Sequence, residues 1–372
     1  MVGMRRILLL VSLFVSFVAV STWPALAAPD PTRGQAAVLV EQVRGLAPTV
    51  TGHQSQGGTP AVTQPAAGQW TVRLGGLTGL GGNVQLTQYM ITGEGEHGYC
   101  AIESWTPDAT AMVVKVRCWE DNGSPATQVA FGVLFNNSLT MPSTAYEAFW
   151  NGTGTFPGPI TPPSTWVMNH TPRLTRTSVG HYTVEYLGTY ANPFPLVTGW
   201  GTTPRVCNVV DWKTGTSTIS PHHAALFVRI ACFTFTGFAL DSGFSFLLSS
   251  RSPLGVNTTT GGRVLTTTAA SWTTPPTENV NTTSGVPLAT NSFRTTLAFG
   301  EYATEVTVPG YPGAFMQFTA ADTLESVGDD ATRCFLEDPL VRQNGAAHLL
   351  VLCSNPKGDS VAHRVHTGTW AV

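Results

Sequence analysis

Met112-Val113-Val114-Lys115-Val116-Arg117-Cys118, Leu226-Phe227-Val228-Arg229-Ile230-Ala231-Cys232 and Ala347-His348-Leu349-Leu350-Val351-Leu352-Cys353 are three versions of one stretch. In each, the residues two, four and six before the cysteine are apolar. A period of two places those side chains and the cysteine on one face of a β-strand. Each cysteine is followed five residues later by a glycine: Gly123, Gly237 and Gly358. This recurrence decides the fold class. The chain is all-β and is built from copies of one unit.

Other landmarks appear on moving outward. A first cysteine precedes each stretch at Cys100, Cys207 and Cys334, and the residue two after it is apolar: Ile102, Val209 and Leu336. Trp105 and Trp212 stand five after the first two of these cysteines, and Pro339 takes that place in the third copy. Further upstream, Gly68-Gln69-Trp70, Gly180-His181-Tyr182 and Gly300-Glu301-Tyr302 open alternating segments, 112 and 120 residues apart. Trp150 and Trp272 precede the last two of these glycines by 30 and 28 residues. Units of about 115 residues, a usual domain size, fill the chain after its first 27 residues.

Those first residues read as a signal peptide, 1–27. Arg5 and Arg6 precede the apolar run Ile7 to Val20, which is 14 residues long and too short to span a bilayer. Pro24 and the small-x-small pattern Ala25-Leu26-Ala27 follow, so the mature chain is expected to begin at Ala28. The mature protein is expected outside the cell or at its surface, with no transmembrane anchor. Six cysteines in an exported chain suggest disulfides. Within each pair both cysteines share a strand face with apolar neighbours, so the expected bonds are Cys100–Cys118, Cys207–Cys232 and Cys334–Cys353. No Cys-x2-Cys pair is present for zinc or redox chemistry, so no metal site is expected from the cysteines.

The expected architecture is three tandem modules, 28–137, 138–250 and 251–372. Each is a β-sandwich, or alternatively a small barrel, with one disulfide. In the second copy the strands should run near Ala145–Asn151, Thr165–Asn169, Arg173–Thr177, His181–Tyr186, Leu196–Trp200, Val206–Asp211, Ala225–Cys232 and Phe244–Leu248. Ala36 to Leu46 reads equally well as helix or strand. The segment 251–298 holds 14 threonines and reads as an edge strand and long loop rather than a glycosylated stalk.

Composition excludes several partners. Charged residues are 11% of the chain, the net charge is -3, and lysine occurs only at Lys115, Lys213 and Lys357. That leaves no basic stripe for nucleic acid. No Gly-x-Ser-x-Gly elbow is present, and Asp241-Ser242-Gly243 and Gly358-Asp359-Ser360 read as turns. His222-His223, the pair His363 and His366, and the acids Asp322, Glu325, Asp329 and Asp330 match no familiar metal spacing. No catalytic residue, metal or cofactor is therefore assigned.

Tryptophan is the remaining signal. Trp105 and Trp212 hold a fixed position and read as covers over the disulfides. Trp119, Trp200 and Trp370 are less repeated and are the candidates for stacking on a ligand such as a sugar. The order of landmarks resembles a tandem, disulfide-containing repeat of exported bacterial proteins of uncharacterised function, and the resemblance covers 28–372. It implies an exported β-rich module protein and carries no activity. The expected function is a non-enzymatic surface protein that binds an extracellular glycan or surface protein. The alternatives are a secreted hydrolase acting on polysaccharide or protein, and a passive structural or stalk protein.

Overall fold

The computed structural model describes residues 34–43, 45–79, 82–90, 98–137, 172–188 and 193–249, together with the backbone of further strands between 145 and 371. The expected signal segment and the expected start at Ala28 lie outside the described residues. Three groups of strands follow one another. The first holds β1 (Gly34–Gln42), β2 (Thr49–Gln54), β3 (Pro60–Ala66), β4 (Gln69–Gly75), β5 (Asn83–Met90), β6 (Gly98–Pro107), β7 (Ala111–Glu120) and β8 (Val129–Asn137). The second holds β9 (Ala145–Trp150), β10 (Pro159–Ile160), β11 (Ser164–Val167), β12 (Arg173–Ser178), β13 (His181–Leu187), β14 (Phe194–Trp200), β15 (Arg205–Thr216), β16 (Ala224–Thr234) and β17 (Gly243–Ser249). The third holds β18 (Gly261–Thr267), β19 (Val280–Asn281), β20 (Ser292–Ala298), β21 (Glu301–Pro309), β22 (Ala314–Ala321), β23 (Arg333–Gln343), β24 (Ala346–Ser354) and β25 (Arg364–Ala371). The ambiguous stretch Ala36 to Leu46 resolves as strand up to Gln42, because β1 is paired on both sides, with β2 and β8.

The strands form three sheets, ordered β2-β1-β8-β5-β23-β24-β21-β20, β11-β9-β17-β14-β6-β7-β4-β3 and β10-β12-β13-β16-β15-β22-β25-β18-β19. None closes into a barrel. Each group contributes one half to each of two sheets, and in the first two groups the two halves face each other as a sandwich. In the first group Val38, Val84 and Phe131 on one layer meet Trp70, Val72 and Val114 on the other. In the second group Val184, Val228 and Ile230 meet Phe244, Phe246 and Leu248. Burying side chains of this size stabilises by roughly 1.5–3 kcal/mol each.

The repeated landmarks are the joints of this unit. Disulfides join Cys100 to Cys118 and Cys207 to Cys232. Cys334 is also disulfide-bonded, and its strand register sets it opposite Cys353. Closing a loop of this size is worth about 3 kcal/mol in chain-entropy models. The glycines Gly68 and Gly180 have φ of 70° and 72°, in the left-handed region. Their carbonyls accept the N–H groups of Cys118 and Cys232 at 3.0 and 2.8 Å. The aromatic residue two later pins the layers together: Trp70 meets Phe131 edge-on at 6.1 Å, and Tyr182 meets Phe244 at 5.2 Å. Gly123 and Gly237, at φ 81° and 91°, close the turns after the second cysteines by donating to Glu120 and Thr234.

The tryptophan spacing has its own explanation. An odd step of five residues along a regular strand would put Trp105 on the face opposite Cys100. A β-bulge between Ile102 and Ser104 inserts one residue and restores parity, so Trp105 lies opposite Val114 and packs against the core. A second bulge, between Val209 and Asp211, does the same for Trp212, opposite Val228. Pro339 lies in the corresponding irregularity of β23, between Glu337 and Val341.

Three parallel contacts join the units. Ile102 pairs with Trp200, Val209 with Ala321, and Leu336 with Tyr89. Each involves the residue two after a first cysteine, just before the bulge. The connectivity therefore runs from the first unit to the second, to the third, and back to the first. The three equivalent strands β5, β14 and β22 approach one another pairwise where the units meet.

Candidate binding surface

Two of the three tryptophans singled out from sequence are placed at the junction of the first two units. Trp119 is 6% exposed, and its ring stacks on Tyr99 at 5.6 Å. Val206 and Phe235 of the second unit pack against the same cluster. Such a ring has no free face for a sugar, which corrects the expectation for Trp119. Trp200 is half-buried and packs against the core of the first unit, one side of a parallel seam. Both vary between copies because each is shaped to a neighbouring unit rather than to its own core. Trp370 pairs through its backbone with Gly261 and Phe315, and its side chain lies outside the described residues.

The same junction buries a polar network. Gln85 Nε2 donates to Asn83 Oδ1 at 2.7 Å and to Ser245 Oγ at 3.1 Å. Thr198 Oγ1 donates to Gln85 Oε1 and accepts the Leu86 N–H, each at 2.9 Å. Asn83 Nδ2 donates to the Phe246 carbonyl at 2.9 Å. Beside it, Ala37 and Leu134 of the first unit pack on Phe194, Leu196 and Leu247 of the second. These groups hold the units in register and face no solvent.

Several carboxylates in the described region also act as struts. Arg73 and Asp108 pair at 2.6 Å, and Asp108 caps the tip of the β6–β7 hairpin by accepting from Thr110 and Ala111. The Thr110 N–H and the Arg73 guanidinium hold the Asp108 carboxyl well below the usual range. In the second unit Glu185 takes the place of Arg73, each standing five residues after the left-handed glycine. Glu185 is 3% exposed and grips the β15–β16 hairpin, accepting from Ser217 Oγ and Thr218 N at 2.7 Å and from Thr218 Oγ1. Burial works to raise its pKa, but these donors outweigh it and the net shift is downward. The two copies thus use side chains of opposite charge for one clamp.

Two serine–histidine contacts exist among the described residues, and in the first the histidine is not placed to act as a base. His181 Nδ1 lies 2.7 Å from the Val179 carbonyl and 3.0 Å from Ser178 Oγ. A carbonyl only accepts, so Nδ1 carries the hydrogen and cannot take a proton from Ser178. His223 meets Ser220 on an exposed loop at 2.6 Å. Ser242, within Asp241-Ser242-Gly243, is buried and donates to the Gly243 carbonyl, as a turn residue does. Among the described residues no group of three His, Cys, Asp or Glu side chains is placed to hold a metal.

One surface stands out. Phe238 is 74% exposed and Val179 51%. Val179 lies in the β12–β13 turn and Phe238 in the β16–β17 loop. The two segments touch, since a Cβ at Gly180 would stand 2.8 Å from Leu240 N. Asp241 knots them together. It accepts from Arg176 Nε and Nη2 at 2.8 and 2.7 Å, from Gly180 N at 2.9 Å and from the Tyr182 hydroxyl at 3.3 Å. Burial would raise the Asp241 pKa, but Arg176, Gly180 and Tyr182 bring it below the ordinary carboxylate value. Burial pushes the Tyr182 hydroxyl up, which keeps it a donor.

The sequence carried a usable signal for this surface. Counted from the shared cysteine, the first unit has Ser124 where the second has Phe238 and Thr127 where it has Asp241; counted from the shared glycine, it has Gln64 for Arg176. The departures of one copy from another, rather than their likenesses, mark the place. No family model, curated protein or solved structure matches the chain.

Proposed function

We propose that this chain is an exported, non-enzymatic β scaffold that contacts a protein partner through the second unit's tip, at Val179 and Phe238. The observation that carries this reading is a large aromatic side chain, 74% exposed, on a loop fixed by the Asp241 knot and the Cys207–Cys232 bond. An exposed aromatic on a pre-ordered loop loses little further entropy on docking, which is how binding anchors gain affinity. A protein partner is favoured over a glycan because the patch is an aliphatic and a phenyl side chain, while Trp119 and Trp70 are buried. Disulfides suit an oxidising compartment, which supports the export reading. Among the described residues no helix is long and apolar enough to cross a membrane.

The test is retention of purified mature protein on the envelope fraction of cells that produce it, with Phe238→Asp in parallel. Binding that falls at least tenfold in the variant, and after protease treatment of the envelope, supports the reading. Equal binding by the variant, or loss only after glycan removal, overturns it. A purified hydrolytic activity on envelope polymers would favour the enzyme alternative.

A further inference from the structure

We infer that the axis where the three units meet is a binding site for a buried water molecule, held by the Thr87 hydroxyl. The parallel seams set three residues of the inward strands equivalent: Tyr89 of β5, Trp200 of β14 and Ala321 of β22. Those residues differ from unit to unit. The residue two before each is a threonine in all three: Thr87, Thr198 and Thr319. A step of two keeps the strand face. Threonine positions therefore recur at one height on three strands that approach one another pairwise. Val84 and Leu86 belong to the core of the first unit, and Val197 to that of the second. Alternation then turns Thr87 and Thr198 to the opposite face, toward the neighbouring units.

Thr198 shows what the position does. Its hydroxyl donates to Gln85 Oε1 and accepts the Leu86 N–H, each at 2.9 Å, so a side chain of the second unit closes on the edge of a first-unit strand. One step round the ring, Thr87 holds the corresponding place at the junction of the first and third units, beside β22. Thr87 is 1% exposed, and its Oγ1 makes no hydrogen bond with a protein group. A buried hydroxyl without a partner is costly, and ordered water is the usual partner where the protein supplies none. A water here has polar groups to meet. Thr87 can give one hydrogen bond and accept two, and Thr198 keeps a lone pair beyond the two bonds it makes. The strands β5, β14 and β22 carry no Asp, Glu, Lys or Arg, so an ion would find no counter-charge on them. Water, which both donates and accepts, fits the set. It closes the third–first junction as the Thr198 hydroxyl closes the first–second one.

The experiment compares the full chain from Ala28 onward with its Thr87→Val variant, which keeps the side-chain shape and deletes the hydroxyl. Relaxation dispersion of isotopically labelled solvent counts the waters that stay inside longer than the protein tumbles, and thermal melts read stability. The expected result is that Thr87→Val loses a single long-lived water and melts about 2 °C or more below the wild type. An unchanged count overturns the proposal. So does a melting temperature that holds or rises, because replacing an unpartnered buried hydroxyl by a methyl group is neutral or stabilising. A wild-type melting temperature that climbs with sodium chloride, and does not in Thr87→Val, assigns the site to an anion and also overturns it. Should Thr87→Val not fold, Thr87→Ser, which keeps the hydroxyl, must keep the full count. Wild-type protein with no long-lived water overturns the proposal by itself.

Discussion

Asp241 collects four donors from three residues and fastens the two segments that carry Phe238 and Val179. Its folded pKa lies below the unfolded value of about 4. Its contribution is therefore complete above about pH 5 and is lost as pH falls through the folded value. Asp241→Asn should cost about 1 kcal/mol near neutral pH, discounted because the carboxylate is partly in water. As pH falls through the folded value the difference between variant and wild type should shrink toward zero, a pattern that thermal melts across pH would show. A difference that stays constant from neutral to strongly acid pH would mean that packing, not charge, carries the knot. Phe238→Ala should leave the melting temperature unchanged within about 1 °C, because the side chain is 74% exposed. Gln85 shows where residue-level reading from sequence stops. In Asn83-Val84-Gln85-Leu86-Thr87 the alternation marks one apolar and one polar face, and a polar face ordinarily meets water. Here Gln85 is 1% exposed, its polar face turned toward a neighbouring unit. Gln85→Leu should cost about 2–3 kcal/mol, since Ser245 and Asn83 would lose a buried donor and Thr198 a buried acceptor.

Strand β6 shows how a single inserted residue sets the face that a side chain occupies. Glu103 occupies the bulge between Ile102 and Ser104. Deleting it should make the strand regular and leave Trp105 four residues after Cys100, on the same inner face, since parity counts from Cys100. Tryptophan emission should stay unshifted, and stability should fall by no more than about 1 kcal/mol, because the only contact removed is the partly exposed Glu103–Arg117 ion pair, at 2.6 Å. A red shift with a loss of roughly 3 kcal/mol, the cost of emptying a large aromatic site, would show that the strand keeps a bulge and turns Trp105 out. Strand positions in the second unit are legible from sequence because Gly, Pro and Asn punctuate them: Ala145, Arg173 and His181 begin β9, β12 and β13 as alternation and turn residues indicate. The bulges are not legible, because no residue type demands one there. Their only sequence trace is the odd step from cysteine to tryptophan. The extension of β15 to Thr216 is equally hidden, because Thr214, Gly215 and Thr216 show no alternation, and hydrogen bonding to β16 rather than burial carries them.

Repetition suggests separable modules, since tandem domains of about 115 residues usually fold alone. The pairing of the sheets opposes that expectation. Every sheet runs through two units, and the first unit lends a half to each of two sheets. The first and second units also share the apolar contact of Ala37 and Leu134 with Phe194 and Leu247, the stack around Trp119, and the Gln85 network. Separating them would expose these groups together, and a buried polar network left half-satisfied is costly for each orphaned partner. Sequence comparison of copies reveals the joints inside a unit, because those recur. It is nearly blind to joints between units, whose two sides sit at different positions of the repeat and so differ in composition. Ile102 faces Trp200 while its equivalent Val209 faces Ala321. The chain from Ala28 onward should accordingly unfold in calorimetry as one transition, with van't Hoff and calorimetric enthalpies in agreement. Cleavage between Asn137 and Ala145 should leave both pieces associated until denaturant is added, with the nicked chain running as one species in gel filtration. Three resolved transitions, or release of a free piece of about 115 residues after a single cut, would show that each unit stands on its own core and that the seams only align them.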